Sequence, residues 1–576
     1  MFHKHSSPGP LSLHAFRIRL ARPEALPELT ILGLITGVLA GGLLIGFREV
    51  ITLVSDYTPL PGDEGFAGLP PLARLALPIA GALLVIALVR MIPPERRSFG
   101  ITHVIQNFNF NRGRFPFSNL AIQFFSALVA LVSGFSVGRE GPAVHMGAGA
   151  GSIMGEKFRL PDNCLRALAG CGSAAAISAS FNTPMAGVIF AMEVIMREYS
   201  LGSFIPVTAA SVTAALMSQM VYGVDPAFVI PVVPMVSLDE LGVTVISACF
   251  IGGLAAAFIK LNLWVAARRQ GELVKPLLVA GLLMGIIGME VPEVMGVGYD
   301  TIGSILGGQV FTINFLFTLV VIKLCITAVV IGLGVPGGVI GPSLFIGASA
   351  GAMFTTIGAM LFDLTQANSV YHALIGMVAM MAAVLQAPLA ALMTVLEMTR
   401  NPHIIMPAML AIIIACLVAS QVFRQHGLFT MQLKVNGQML GASPLKDVLC
   451  KAGVAGLMNT NIQIFPRHLS LESLQQQLAQ TSEWIVFDDG ASGWGVLAIR
   501  SLREATAFQA MDKALDLCSV QGVKSAKSIS LQASLDDALK IMNQYEVDAL
   551  YIQTRWKQRL LISGVITRQD IEAFYS

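Results

Sequence analysis

Apolar positions along the chain gather into long runs separated by short polar or Gly/Pro-rich breaks. The clearest runs are Thr30–Val54, Leu75–Ile92, Leu120–Phe135, Phe204–Val221, Val243–Phe258, Leu278–Gly288, Phe311–Ile331, Ser343–Leu361, Tyr371–Leu385 and Met406–Val422. Several fall short of the ~20 residues that an α-helix needs to span a bilayer. Short, glycine-broken apolar segments predict helices that stop at mid-membrane, with their ends turned to a cavity. Near Leu433 the pattern changes, and from there to Ser576 the chain is polar, with mixed helix and strand periodicity and no further span. Residues 1–27 carry Lys4, Arg17, Arg19 and Arg22 without a clean apolar core. They read as a leader held on the cytoplasmic side by positive charge and not as a cleavable signal. An even number of crossings then puts both termini in the cytoplasm, and the length suits a bacterial inner membrane.

Composition agrees with a chain dissolved largely in lipid. Of 576 residues, 55% are hydrophobic and 12% charged, where a soluble domain carries roughly a quarter charged residues, and mean hydropathy is +0.71. An ordinary soluble globule and a disordered chain are both excluded. A net charge of +2 offers no basic field for nucleic acid. The seven cysteines (164, 171, 249, 325, 416, 450 and 518) show no CxxC spacing and read as small core residues, neither a disulfide frame nor a metal site. No nucleophile–base pair or phosphate-loop lysine points to an enzyme, and no cofactor is expected to be required.

The membrane part repeats itself. Gly138-Arg139-Glu140-Gly141-Pro142 has a counterpart in Gly338-Val339-Ile340-Gly341-Pro342, and Asn182–Gly187 followed by Glu193 has one in Gln386–Ala391 followed by Glu397, at offsets of 200 and 204 residues. These matches predict two repeats, roughly 28–222 and 236–433, within one transport domain at 28–433. The polar part repeats too. Ser470-Leu471-Glu472-Ser473-Leu474 resembles the stretch Ser534–Leu539, each opening an amphipathic helix with a capping serine. Strand-like runs follow at Glu483–Phe487 and Ala549–Gln553, and then Gly495-Val496-Leu497 and Gly564-Val565-Ile566. A linker at 434–453 and modules at 454–512 and 513–576 result.

The two GxxGP segments carry the candidate chemistry. Proline early in a helix lacks only an N–H that would be unpaired anyway, and glycine before it lets bare backbone approach a ligand. The product is a helix N-terminus whose free N–H groups and positive dipole end favour an anion. Two such ends converging from two repeats would make an anion site without a cationic side chain. The bland alternative is that these glycines only pack helices tightly. Glu140 is an intramembrane acid at one of these helix starts, and such residues are functional candidates. Its carboxylate is itself an anion, so it can occupy the site it guards and leave on protonation. The alternative is an acid that merely complements the helix dipole. Arg139 beside it is expected to pair with a carboxylate or carbonyl.

At these residues the chain resembles the CLC family of chloride channels and anion/proton antiporters. Gly138–Pro142 matches the family's GxEGP motif, Phe181–Gly187 its FNAPLAG-like segment, Gly296-Val297-Gly298-Tyr299-Asp300 its GGGYE-like turn, and Gln386–Thr399 its RAPLTGxxxxxEMT segment. The paired C-terminal repeats resemble CBS modules. The resemblance covers about residues 30–433. It implies an all-α polytopic membrane protein with an inverted internal repeat, followed by an α/β CBS pair. It also implies a homodimer in the lipid bilayer with one pore per subunit, moving chloride or another monovalent anion.

Three departures, and a fourth, milder one at Ile340, bear on mechanism. Phe99, in Ser98-Phe99-Gly100-Ile101-Thr102, stands where the family's serine donates a hydroxyl to the anion, and Phe429 stands where a tyrosine donates another. Val194 follows Glu193 where the family's antiporters carry an inner glutamate. Ile340 replaces a phenylalanine. A hydrogen bond to a charged group is worth ~1.5–3 kcal/mol, so losing two donors weakens binding and leaves backbone amides near Val339 and Ile340 as main ligands. Aromatic edges of Phe99 or Phe429 offset part of this. The anion-binding set expected is Phe99, Gly100, Gly138, Arg139, Gly141, Gly338, Val339, Ile340 and Phe429, with Glu140 as gate. A weak site without an acid at Val194 suggests channel-like conduction. A proton-coupled antiporter is the alternative, with His145, Glu156 or Glu198 as other proton routes, and a membrane-anchored nucleotide sensor is a reading from another class. Glu193 and Glu397 are expected to bond across the repeats. Lys323 is a lone cation in an apolar helix that snorkels, pairs or lines the pore. In the second CBS copy, Thr567 and Asp570 fit that module's ribose-binding pattern for an adenine nucleotide, while Thr567 is equally a good helix cap.

Overall fold

The computed structural model describes residues 17, 20, 25–57, 65–224, 238–269, 272–362, 369–438, 448–450, 452–469, 482–488, 493–508, 515–556 and 559–575. The chain divides into two compact units, one comprising Thr30–Gly155 and Arg166–Leu440, the other Met1–Leu29, Glu156–Leu165 and Gly441–Ser576.

The first unit is all helical. Its first half runs through α1 (Leu26–Tyr57), α2 (Pro71–Arg90), α3 (Gly100–Phe110), α4 (Phe117–Val132), α5 (Glu140–Lys157), α6 (Asp162–Phe181), α7 (Pro184–Phe190, prolonged by a wider turn to Met196) and α8 (Leu201–Tyr222). Its second half runs through α9 (Leu238–Arg268), α10 (Val274–Glu290), α11 (Tyr299–Leu306), α12 (Ile313–Gly332), α13 (Ile340–Phe362), α14 (Ser369–Leu385), α15 (Pro388–Thr399) and α16 (Ile405–Leu417), and a short α17 (Leu428–Val435) closes it. Among the described residues, 8 helices are long and apolar enough to cross a membrane. The exterior is studded with Leu72, Leu83, Leu216, Ile286 and Ile413, whereas Gln123, Glu140, His145 and Lys323 are buried. This is the inside-out polarity of a protein whose outer solvent is lipid.

The two halves are built alike. Residues 133–140 and 333–340 follow the same succession of turn, single β-bridge and helix start. Glycine lets the helices behind them touch backbone to backbone: a Cβ on Gly147 would lie 2.2 Å from the Gly172 carbonyl oxygen, and one on Gly347 2.2 Å from that of Gly376. Small residues at helix contacts are how membrane helices gain close packing without a hydrophobic driving force.

The second unit holds a six-stranded sheet of β1 (Ile462–Phe465), β3 (Trp484–Asp488), β4 (Trp494–Ala498), β6 (Lys524–Ser530), β7 (Ala549–Trp556) and β8 (Arg559–Thr567), in the order β1-β3-β4-β6-β7-β8. The short strands β2 (His468–Leu469) and β5 (Leu515–Asp516) pair separately. Helices α18 (Val454–Leu457), α19 (Ile499–Phe508), α20 (Leu535–Tyr545) and α21 (Arg568–Tyr575) accompany these strands. The sheet is internally duplicated: β1 is parallel to β3 and β3 antiparallel to β4, as β6 is parallel to β7 and β7 antiparallel to β8. Ser534 opens α20 with a reciprocal box, its hydroxyl accepting from the Asp537 N–H. The expected counterpart at Ser470–Leu474 lies outside the described residues.

The module boundary differs from the one drawn from sequence. Leu449, Val454 and Met458 bury themselves with Leu535, Ile552 and Ile566 of the second copy, while Leu515, Leu517 and Val520 join Phe465, Phe487 and Leu497 of the first. Each copy therefore takes its leading segment from the chain before the other copy. Pattern matching misses this, because hydrophobic periodicity records that a segment is buried and not against which partner.

Candidate functional site

The site lies where the two repeats meet. Gly138 and Gly338 form an isolated antiparallel bridge, each donating its N–H to the other's carbonyl at 2.8 and 2.7 Å. Corresponding residues of the two repeats thus pair with each other, as a local two-fold relation requires. Gly141 makes the approach possible, since a Cβ there would lie 2.7 Å from the Gly338 Cα. Just beyond the bridge begin α5 and α13, with Pro142 and Pro342 each third in its helix.

Glu140 is fully buried at the start of α5. Its Oε2 accepts from the Gly341 N–H at 3.2 Å, in the first turn of the opposite repeat's helix. The Tyr299 hydroxyl donates to its Oε1. The chain's own carboxylate therefore sits on a helix N-terminus, a place whose exposed N–H and dipole suit any anion. Tyr299 starts α11 and is carried by the Gly296–Gly298 turn. Lys323, fully buried in α12, holds that turn by donating to the carbonyls of Val294 and Gly296 at 3.0 and 2.9 Å, its ammonium 4.8 Å from the Phe345 ring centroid. Of the roles open to Lys323, pairing is the one observed.

The other candidate residues divide by what their polar groups already do. The amides of Gly138 and Gly338 are engaged in the bridge. Gly100, at φ +74°, has its amide shared between Gln123 Oε1 at 3.0 Å and His145 Nδ1 at 3.2 Å. The N–H groups of Val339 and Ile340, ahead of and at the start of α13, have no acceptor among the described residues. The Gly141 N–H, second in α5, likewise has no acceptor among the described residues. Phe99, Gly100, Gly141, Gly338, Val339 and Phe429 line one cavity of about 180 Å³. Arg139 places its guanidinium 5.2 Å from the Tyr299 ring centroid and, with Arg48 and Tyr222, lines a separate small cleft.

Glu193 and Glu397 do bond across the repeats. Glu193 accepts from Leu389 and Ala390 at the start of α15 at 3.2 and 2.7 Å, and Glu397 from Met185 and Ala186 at the start of α7 at 2.9 and 2.8 Å. Val194 is buried and apolar. Glu198 accepts from Ser203 at 2.6 Å. In the second unit, the Thr567 N–H and hydroxyl donate to Asp570 at 2.8 and 2.7 Å, and the Asp570 N–H returns to Thr567 Oγ1 at 3.3 Å. Both side chains thus cap α21, by the same device as Ser534 and Asp537. Motif reading found the turn carrying Tyr299 without its bond to Glu140. It gave no sign of Gln123, because a glutamine inside an apolar run has no periodic signature.

Comparison with known proteins places this geometry. Residues 81–420 match the family model described as voltage gated chloride channel. The H(+)/Cl(-) exchange transporter ClcA of Vibrio cholerae serotype O1 is 30% identical over 408 residues, spanning 68% of this chain and 86% of its own. A Ralstonia nicotianae protein named "Putative chloride channel protein ClcB-like" is 31% identical over 392 residues, spanning 65% of this chain and 90% of its own. Among solved structures, a slow cyanobacterial Cl-/H+ antiporter superposes with TM-score 0.60 at 22% identity over 72% of this chain and 98% of that one. A eukaryotic CLC transporter does so with TM-score 0.55 at 18% identity over 97% of this chain and 98% of that one.

Proposed function

The chain belongs to the voltage-gated chloride channel (CLC) family, a multi-pass family of membrane anion transporters, and from that premise we propose that it exchanges chloride for protons with Glu140 as the gate. The observation that carries the reading is the Glu140 carboxylate on the Gly341 amide. A proton on that carboxylate removes its charge and its preference for the helix end, and the vacated place then suits a chloride ion. One group that takes either a proton or a chloride's position is the minimum device for moving the two in opposite directions. The names of the exchange-transporter relatives support this over the channel-like conduction expected from sequence.

One observation favours the channel-like alternative: the inner position is Val194, which binds no proton. Purified protein in liposomes with a chloride gradient separates the two. Exchange predicts uphill proton movement in fixed ratio to chloride, lost in Glu140→Gln while chloride still passes. A chloride gradient that moves no protons in the wild-type protein would leave conduction as the mechanism. The proposal includes a homodimer with one pathway per subunit, both termini cytoplasmic, checked by cross-linking and by protease access in sealed vesicles. For an adenine nucleotide to use Thr567 and Asp570, it would have to break the cap of α21.

A further inference from the structure

Helix α9 ends in two arginines with different surroundings. The Arg268 guanidinium lies 3.6 Å from its own helix's Trp264 ring centroid and donates to the Trp264 carbonyl at 2.9 Å. The next residue, Arg269, is half-buried and turns to Gly334, where a Cβ would fall 2.2 Å from its Nη1. Gly334, at φ +97°, leaves the room that the guanidinium fills. Among the described residues, this guanidinium has neither a carboxylate nor a carbonyl partner. It lines the same 180 Å³ cavity as Phe99, Gly338, Val339 and Phe429. Arg97 lines it too, tied through Nε to the Ile92 carbonyl at 3.0 Å. No Asp or Glu is among the residues lining the cavity.

A charged group withdrawn from water with no counter-charge is costly, and five donors in a rigid fork leave guanidinium well suited to a small anion. We propose that Arg269 is an anion-binding residue of a waiting station: it takes a small monovalent anion in this cavity before that ion reaches the free amides of Val339 and Ile340. The fork supplies, one step earlier along the route, the side-chain donors that Phe99 and Phe429 do not. The inference rests on anion transport and not on its coupling to protons, so its failure and that of exchange are separate results.

The test uses the full chain in liposomes, as wild type, Arg269→Gln and Arg269→Lys, with initial chloride flux measured at low ionic strength and again with added impermeant salt. A cation at a cavity mouth raises the encounter rate ~10-fold or more, and ~1 M salt shortens the screening length to about 3 Å. Arg269→Gln is therefore expected to lose ~10-fold in flux at low salt, with the gap closing at high salt and the proton-to-chloride ratio unchanged. Arg269→Lys should retain most of the flux. Bromide-soaked wild-type crystals should show anomalous density beside the Arg269 guanidinium, a readout that does not depend on any variant folding. Wild-type flux in Arg269→Gln at low salt, a loss that high salt leaves undiminished, or no bromide beside Arg269 would each overturn the proposal.

Discussion

Glu193 and Glu397 are reciprocal: each carboxylate caps the short helix that leads to the other. Corresponding acids, held by corresponding amides, tie the two repeats together at a second place besides the Gly138–Gly338 bridge. Both are charge-assisted bonds to helix N-termini, so each is worth more than a neutral pair. Glu193→Gln and Glu397→Gln should each lower stability by ~1.5–3 kcal/mol, and by similar amounts, as read from thermal unfolding of detergent-solubilised protein. Unequal effects, with one variant fully stable, would break the symmetry argument.

Tyr299 is the donor that holds Glu140 from the side. Tyr299→Phe keeps the ring and removes the hydroxyl, taking ~1.5–3 kcal/mol from the plugged arrangement. Chloride flux at neutral pH should rise ~10-fold, by the usual conversion of about 1.4 kcal/mol per decade. Lys323→Met acts at one remove, leaving the Val294 and Gly296 carbonyls without their donor. It should raise flux in the same direction, and both variants should lower thermal stability, since each removes a bond made in the folded state.

The glycine bridge tolerates no side chain. A Cβ on Gly338 would meet the Gly141 amide nitrogen at 2.6 Å, and the atom it meets is backbone that has no rotamer to escape into. Gly338→Ala should destabilise by ~1–3 kcal/mol or more and abolish chloride flux, whereas Gly46→Ala, with nothing within 4 Å of its Cβ, should leave flux unchanged in the same assay.

In the second unit the Arg467 guanidinium grips Asp516 with two bonds, Nε to Oδ1 at 3.0 Å and Nη2 to Oδ2 at 3.1 Å, and Asp516 also accepts from the Cys518 N–H at 3.0 Å. These bonds hold its carboxyl below the usual value of 3.8, at about 2. A depressed value means that the stabilisation is complete above the unfolded value and disappears as pH falls from about 4 towards 2. Hydrogen exchange on the full chain should show the Cys518 amide protected at neutral pH, relative to Asp516→Asn, with the difference vanishing across that window. A difference that persists at the acid end would contradict the assignment.

Much of this protein was legible in one dimension. The membrane runs, the duplication and the helix starts at Glu140 and Ile340 were readable, because apolar runs and glycine–proline chemistry act over a few neighbouring residues. So was the cross-repeat bonding of Glu193 and Glu397, through the shared offset of acid and proline. The division of amides at the site was not readable. Gly138, Gly338, Val339 and Ile340 look equally available in sequence, and only the bridge separates the engaged pair from the free one.

A duplicated membrane protein with two glycine–proline helix starts and one acid among them can be read from the order of residues alone. Only the folded chain shows that Tyr299, 159 residues from Glu140, holds that acid, that the two C-terminal modules exchange their leading segments, and that Arg269 faces a cavity with no carboxylate or carbonyl partner among the described residues. The reason is the same in each case. A helix start or an apolar face is a property of local chain chemistry, but the partner that satisfies a buried donor, acceptor or charge comes from a distant part of the chain and is set only when the whole interior closes.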